Sequence, residues 1–238
     1  MAALQTSRSP MAHTLRALAH LLGYPDETMR RQLPELRVAL HAERALVPAR
    51  LLELDALIDR VRDSRQLEPE AAYVDLFDRG RGTALHLFEH VHGDSRDRGP
   101  AMVDLVKTYE QAGLYLALGE LPDHLSVVLE FTSTQPAAQA VEFLREIAHI
   151  VRGIFSALLE RNSVYASVLA AVLDLAGEKA QAVRLPAEPA LDDSWEEPPA
   201  FGGCSTEGQA RPGAPQPIQI VKRPSATQRA LPSSGASA

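Results

Sequence analysis

The chain of 238 residues has a single cysteine, Cys204. One thiol cannot form an intrachain disulfide, and no cysteine-based zinc site can be assembled within the chain. That usage fits a reducing cytoplasm, the expected location. Aromatic residues are scarce, at 5% of the chain. Positive charge is in deficit: 24 Lys and Arg stand against 31 Asp and Glu, a net charge of -7. That balance disfavours general nucleic-acid binding, which needs a basic face to neutralise phosphates. No apolar run approaches the ~20 residues that span a bilayer. The stretch from Met11 to Leu22 is interrupted by His13, Arg16 and His20, unlike a secretory signal core. No direct membrane insertion is therefore expected. Enzyme signatures are missing as well. There is no Walker-type phosphate loop and no G-x-S-x-G elbow, and Gly80-Arg81-Gly82 lacks the third glycine of a dinucleotide fingerprint.

What is present is mostly apolar and aliphatic. Apolar residues make up 45% of the chain, largely Leu, Ala and Val, and the first two favour helices. Helical spacing predicts His13–Leu22, stopped by Gly23 and the Tyr24-Pro25-Asp26 turn. Glu27–Glu43 follows, bent or divided at Pro34. Ala49–Arg62 places Leu51, Leu52, Leu54, Ile58 and Val61 near one face. Pro69–Phe77 is shorter. Pro100–Leu118 carries a stripe of Met102, Leu105, Val106, Tyr109 and Leu116, and Asp123–Phe131 opens on an N-cap candidate. Pro136–Leu159 repeats Val141, Leu144, Ala148, Val151, Phe155 and Leu158 at three- and four-residue intervals, and Val164–Leu175 closes the series. No strand-helix alternation appears. The expectation is an all-α, compact single-domain helical bundle of about seven to eight helices.

Beyond Ala176 the periodicity fades, and nine of the 17 prolines fall between Pro186 and Pro232. Such a segment buries too little apolar surface to offset its ordering entropy. The predicted organisation is a flexible N-terminus over 1–11, a helical domain over 12–176, and a mostly disordered tail over 177–238. Within that tail, 192–201 sets Trp195 and Phe201 among acids and prolines, a candidate docking segment, because large aromatics anchor interfaces.

The segment Leu85-His86-Leu87-Phe88-Glu89-His90-Val91-His92 holds three of the eight histidines. As a helix it sets Ala84, Leu87, Phe88 and Val91 against a face of His86, Glu89 and His90. A histidine pair one turn apart can bind zinc, but the pattern is not H-E-x-x-H and no further ligand is identifiable. An amphipathic helix exposing polar side chains is the stronger reading. The following loop contains Asp94, Arg96, Asp97 and Arg98, and reads equally as a partner-recognition loop or a solvated turn closed by local ion pairs. Asp78-Arg79-Gly80-Arg81-Gly82 has the same two readings. The stripes carrying Tyr109 and Phe155 read as core before ligand pocket.

Three segments together carry a family resemblance. They are Tyr73-Val74-Asp75-Leu76-Phe77-Asp78-Arg79-Gly80-Arg81-Gly82, then Leu85–Gly93, then Ser95-Arg96-Asp97-Arg98-Gly99 with Met102-Val103-Asp104-Leu105. They resemble the nitrate reductase delta subunit, the NarJ-type molybdenum cofactor assembly chaperones. Glu120-Leu121-Pro122-Asp123-His124-Leu125, Val128-Leu129-Glu130-Phe131 and Trp195-Glu196-Glu197-Pro198-Pro199 with Phe201 extend the likeness. The resemblance implies an all-helical redox-enzyme maturation chaperone rather than an enzyme. It implies binding to the apo catalytic subunit of respiratory nitrate reductase, including its N-terminal segment. It implies keeping that subunit competent for molybdenum cofactor insertion and delaying membrane docking until maturation. No cofactor of the chain's own is expected; the molybdenum cofactor goes into the client.

These readings combine into one expectation. A groove near Tyr73–Leu105 takes up an amphipathic client segment, with apolar residues supplying affinity and charges fixing orientation. The candidate contact residues are Tyr73, Phe77, Arg79, Arg81, His86, Glu89, His90, Asp94, Arg96, Asp97, Arg98 and Tyr109. The histidines, whose ordinary pKa lies near ~6.5, would make release pH-sensitive. A helical adaptor for another partner and a His-dependent metalloenzyme stand as the alternatives.

Overall fold

The structure, a computed structural model, describes residues 9–65, 67–93 and 95–184. Asp94, Trp195 and Phe201 lie outside the described residues, as does the candidate docking segment 192–201. Among the described residues there are nine α-helices and no strand. They are α1 (Ala12–Leu21), α2 (Glu27–Glu43), α3 (Pro48–Asp63), α4 (Glu68–Tyr73), α5 (Leu87–His92), α6 (Arg98–Gln111), α7 (Leu125–Thr134), α8 (Ala137–Glu160) and α9 (Ala166–Leu175). None of them is long and apolar enough to cross a membrane.

The centre of the bundle is α9. Nine of its ten residues are buried, Asp174 being the exception. A helix apolar all round must be enclosed, and this one is wrapped by α8, α3 and α1. Helix α1 packs on α7 and α2. Alanines let these backbones approach: Ala17 and Ala19 on α1, Ala148 on α8, Ala170 and Ala171 on α9 are all buried. The large leucines Leu15, Leu18, Leu129, Leu144 and Leu158 fill the spaces between and are fully buried. Each contributes roughly 1.5–3 kcal/mol by leaving water.

Local chemistry sets the helix ends. The Asp26 side chain accepts from Met29 N at 2.7 Å and caps α2. Helix α2 continues through Pro34 undivided. Helices α6, α8 and α9 end alike, with a left-handed residue (Gly113, Asn162, Gly177) just past the cap. In each case the next amide reaches back five residues: Leu114 to Tyr109 O at 3.0 Å, Ser163 to Leu158 O at 2.9 Å, Glu178 to Leu173 O at 2.9 Å. Gly113 therefore stops α6 at Gln111, seven residues short of the predicted Leu118. Of the predicted stripe on α6 only Tyr109 is buried. On α3 the predicted face rotates: Leu54, Leu57, Ile58 and Val61 are buried, while Leu52 is exposed.

Past α9 the described chain turns back along α8. Arg145 Nε donates to Ala176 O at 3.0 Å, and Val183 N donates to Ser156 Oγ at 3.0 Å. The Arg152 guanidinium lies 2.8 Å from Glu178.

Candidate functional site

The predicted helix over Pro69–Phe77 is not uniform. It is α-helical to Tyr73 and then widens into a π-turn over Val74–Asp78. The extra residue per turn swings Tyr73 and Phe77 inward onto Tyr165, with ring centroids 6.2 Å and 5.1 Å away. The Tyr73 hydroxyl donates to Leu22 O at 2.7 Å, closing the end of α1. Burial pushes the phenols of Tyr73, Tyr109 and Tyr165 above the ordinary tyrosine range. Tyr73 and Phe77, expected as contact residues, are thus buried in the core.

The loop after the π-turn is held closely. Thr83 Oγ1 donates to Leu76 O and lies 3.2 Å from Gly80 O. A Cβ on Gly80 would sit 2.8 Å from Leu76 O, so this glycine is required by close backbone approach. Arg161 reaches over to donate to Asp75 O at 3.3 Å. Arg79 and Arg81 project outward and are exposed. The Arg79–Asp75 pair at 3.7 Å is about three-quarters exposed on both sides and contributes ~0–1 kcal/mol. These residues border a groove of about 770 Å³ between α3, α4 and residues 161–165.

The histidine segment differs most from expectation. Helix α5 begins only at Leu87, and His86 is extended. His86 forms an isolated antiparallel bridge with His124. Leu125 N donates to Leu85 O at 2.9 Å, and Leu87 N donates to Asp123 O at 3.0 Å. The ladder pulls His86 out of helical register, so His86 and His90 are not a pair one turn apart. His90 instead donates from Nε2 to Ala84 O at 2.8 Å. Among the described residues no three His, Cys, Asp or Glu side chains stand together as metal ligands.

Asp123 is the centre of this arrangement. Its side chain has no exposed surface. One oxygen accepts from His86 Nδ1 at 3.3 Å; the other accepts from Phe88 N at 3.2 Å and lies 3.7 Å from the Arg98 guanidinium. Arg98 also meets Glu89 at 3.3 Å. Tyr109 donates its hydroxyl to Pro122 O at 2.8 Å. Burial alone would raise the Asp123 pKa. The His86 hydrogen bond and charge, the Phe88 amide and Arg98 together outweigh it and hold the carboxyl below its usual range. The same hydrogen bond raises His86. His124, beside it with ring centroids 5.0 Å apart, is pushed down to about 4, mainly by burial and then by the His86 charge.

These shifts set a pH prediction. His86 contributes stability that is full below its ordinary ~6.5 and is lost as pH rises through its raised value. Asp123 contributes above ~3.9 and loses that contribution as pH falls through its lowered value. His124 acts in the opposite sense to His86: the unfolded chain binds its proton between ~6.5 and about 4 while the folded chain does not. Stability therefore falls with acidification across that window, by at most ~1.4 kcal/mol per pH unit. Urea midpoints measured from pH 7 to 5 are expected to decline in the parent chain and to flatten in His124→Gln. Identical profiles for the two would contradict this account.

A second groove, of about 380 Å³, opens between α7 and residues 114–120. Phe131 and Val127 of α7 form its floor; Tyr109 and the loop residues Leu114, Tyr115 and Leu116 form its wall. Glu120 and Glu130 stand at its edge with Arg16. Nearby in sequence, Tyr115 is 81% exposed and Leu118 fully so. Apart from Tyr73 and Phe77 in the core, the predicted contact residues thus fall into several separate settings. Arg79 borders the larger groove; His86, Glu89 and Arg98 join at Asp123; Tyr109, otherwise buried, lines the smaller groove. Arg96 and Asp97 are exposed on the connecting turn. Sequence reasoning missed Asp123 and His124 as site residues. The predicted cap role of Asp123 is not met, because α7 starts at Leu125 and the carboxylate faces α5. The usable signal was the Glu120–Leu125 motif itself, 35 residues from its spatial partner Phe88.

The model of the nitrate reductase delta subunit family matches residues 26–171. The nitrate reductase molybdenum cofactor assembly chaperone NarJ of Escherichia coli K12 is 41% identical over 190 residues, covering 76% of this chain and 80% of that protein. NarW of the same strain, named a probable nitrate reductase molybdenum cofactor assembly chaperone, is 36% identical over 193 residues, 77% and 80% of the two chains. The Bacillus subtilis protein of the same probable name, NarJ, is 32% identical over 163 residues, 67% and 86%.

Proposed function

The chain belongs to the nitrate reductase delta subunit family, one of maturation chaperones rather than catalysts, and from that premise we propose that it binds the apo catalytic subunit of a respiratory nitrate reductase in the cytoplasm. It keeps that subunit competent for molybdenum cofactor insertion and delays membrane docking until maturation is complete. The cofactor is the client's; the chaperone works by binding alone.

The observation that carries this reading is the meeting of two distant motif segments, 84–98 and 120–125, at buried Asp123, with Glu120 of the second segment lining an apolar groove. A rigid polar hub next to an open apolar wall suits reversible capture of an amphipathic segment. The N-terminal segment of the client is the proposed occupant. Its apolar side chains would enter the groove under Tyr115 and Leu116, each yielding roughly 1.5–3 kcal/mol before ordering costs. Arg96 and Asp97, exposed on the turn at the far end of α6, would orient the client chain beyond the groove. An exposed apolar surface of this kind marks an interaction site more often than a passive surface.

Calorimetric titration with the client's N-terminal peptide tests the assignment. Tyr115→Asp with Leu118→Asp is expected to weaken binding by about 10- to 100-fold, at ~1.4 kcal/mol per tenfold. Arg96→Ala is expected to weaken it by about threefold, as a rim charge does. Undiminished affinity in the double variant would remove the groove from the client site.

A further inference from the structure

Helix α6 is attached unlike the rest of the bundle. It has 14 residues and a single buried side chain, Tyr109, whereas α1 buries seven of ten and α9 nine of ten. Its one substantial helix neighbour is α5, itself six residues long. One face of α6 is half-covered, at Arg98, Met102, Leu105 and Val106.

Arg98 ties it to Glu89 of α5 at 3.3 Å, and two further side-chain tethers reach one short segment. At its start Arg98 lies 3.7 Å from Asp123. Near its end the Tyr109 hydroxyl bonds Pro122 O at 2.8 Å, and the ring packs on Phe131 with centroids 4.6 Å apart. The two residues are about 16 Å apart along the helix. Backbone flexibility brackets this unit. Gly93 precedes it at φ +53, and Gly113 and Gly119 follow at φ +80 and +93. All three stand in open space, with no heavy atom within 4 Å of a built Cβ. Glycines there keep conformational freedom that packing does not use. The loop between Gly113 and Gly119 carries Leu114, Tyr115 and Leu116, the wall of the smaller groove.

We infer that α6 and the loop to Gly119 form a hinged cover on the groove, latched at Asp123 and Pro122 and swinging on Gly93 and Gly119. Closed, it leaves the groove at about 380 Å³ and keeps Tyr109 buried. Open, it bares Tyr109 and Phe131 to an entering apolar segment. Elements that move to admit a ligand come from the least stable part of a fold. The identity of the entering segment rests on the client reading; the motion does not.

Amide hydrogen exchange on the full chain tests the motion without any client. Amides of 98–118 are expected to exchange at least about 100-fold faster than those of α8 and α9. Tyr109→Phe and Arg98→Gln each release one latch. Each is expected to speed exchange over 98–118 by about fivefold or more, leaving α8 and α9 unchanged. Protection of α6 equal to that of α9, or acceleration spread evenly through the bundle, would overturn the cover. Stopped-flow binding of the client's N-terminal peptide supplies the second arm. Association is expected to be several-fold faster in Arg98→Gln, because a larger open fraction raises the apparent rate. A peptide that binds both proteins at the same rate would overturn the cover and leave the client reading standing. A peptide that binds neither would sink the client reading, with exchange still deciding the cover.

Discussion

Asp123→Ala is expected to lower the melting temperature by about 10 °C. The carboxylate is wholly buried and serves His86, the Phe88 amide and Arg98 at once. Removing it strands a buried amide and a histidine raised by that very partner. Losing the charge-assisted bonds to the Phe88 amide and His86 and the contact with Arg98 costs about 3 kcal/mol in all. For a domain of this size each kcal/mol moves the midpoint by ~2–4 °C. The damage extends to function, because the carboxylate that ties α5 and Arg98 to segment 120–125 is lost, although the backbone bridge between the two segments remains. Asp123→Asn is expected to cost less, about 1–2 kcal/mol, since an amide oxygen still accepts from Phe88 N. Thermal melts of the two variants check the order. Equal melting temperatures for Asp123→Ala and the parent would contradict the hub.

Tyr73→Ala is the second large effect, at about 3–5 kcal/mol. The ring packs on Tyr24, Phe77 and Tyr165, with centroids 5.7, 4.7 and 6.2 Å away. Its loss opens a cavity between the π-turn and α9. Tyr73→Phe separates packing from hydrogen bonding. It keeps the ring and strands Leu22 O at the end of α1, a cost of about 1 kcal/mol. This pair of variants also decides whether Tyr73 touches the client. A core role predicts that Tyr73→Phe keeps peptide affinity within about twofold, well under the ~1.4 kcal/mol that a tenfold loss represents. A tenfold loss of affinity with an unchanged melt would place Tyr73 at the contact surface.

The helices were legible where burial is one-sided and local chemistry marks the ends. The α8 stripe is the clearest case: of its six predicted positions, Leu144, Ala148, Val151, Phe155 and Leu158 are buried, and Val141 is half-buried. Leucine and alanine at three- and four-residue spacing are sufficient there. Readings failed where a distant segment decides the local conformation. His86 has helical neighbours in sequence, yet backbone pairing with His124 draws it into an extended state. Asp123 precedes a helix and looks like a cap, yet its carboxylate is taken by residues 35 and 37 positions earlier. Helix α6 ends early because Gly113 adopts φ +80 and diverts the Leu114 amide to Tyr109 O. The aromatic residues of the candidate site, Tyr73, Phe77 and Tyr109, went inward because a small bundle with few aromatics uses them as core. The exposed charges Arg79, Arg81, Arg96 and Asp97 were readable as surface. The place of Arg79 at the larger groove was not, since it depends on the π-turn and on Arg161 from beyond α8.

The most direct measurement is the molybdenum content of the nitrate reductase catalytic subunit, purified from nitrate-respiring cells with and without this chain. A maturation chaperone predicts a subunit made in similar amount but largely lacking molybdenum when the chain is absent. Restoring the parent chain should restore the metal, and the Tyr115→Asp, Leu118→Asp variant should restore little. The chain should also co-purify with the metal-poor subunit and not with the loaded one. Full molybdenum occupancy in the absence of the chain, or co-purification with mature enzyme alone, would contradict the account.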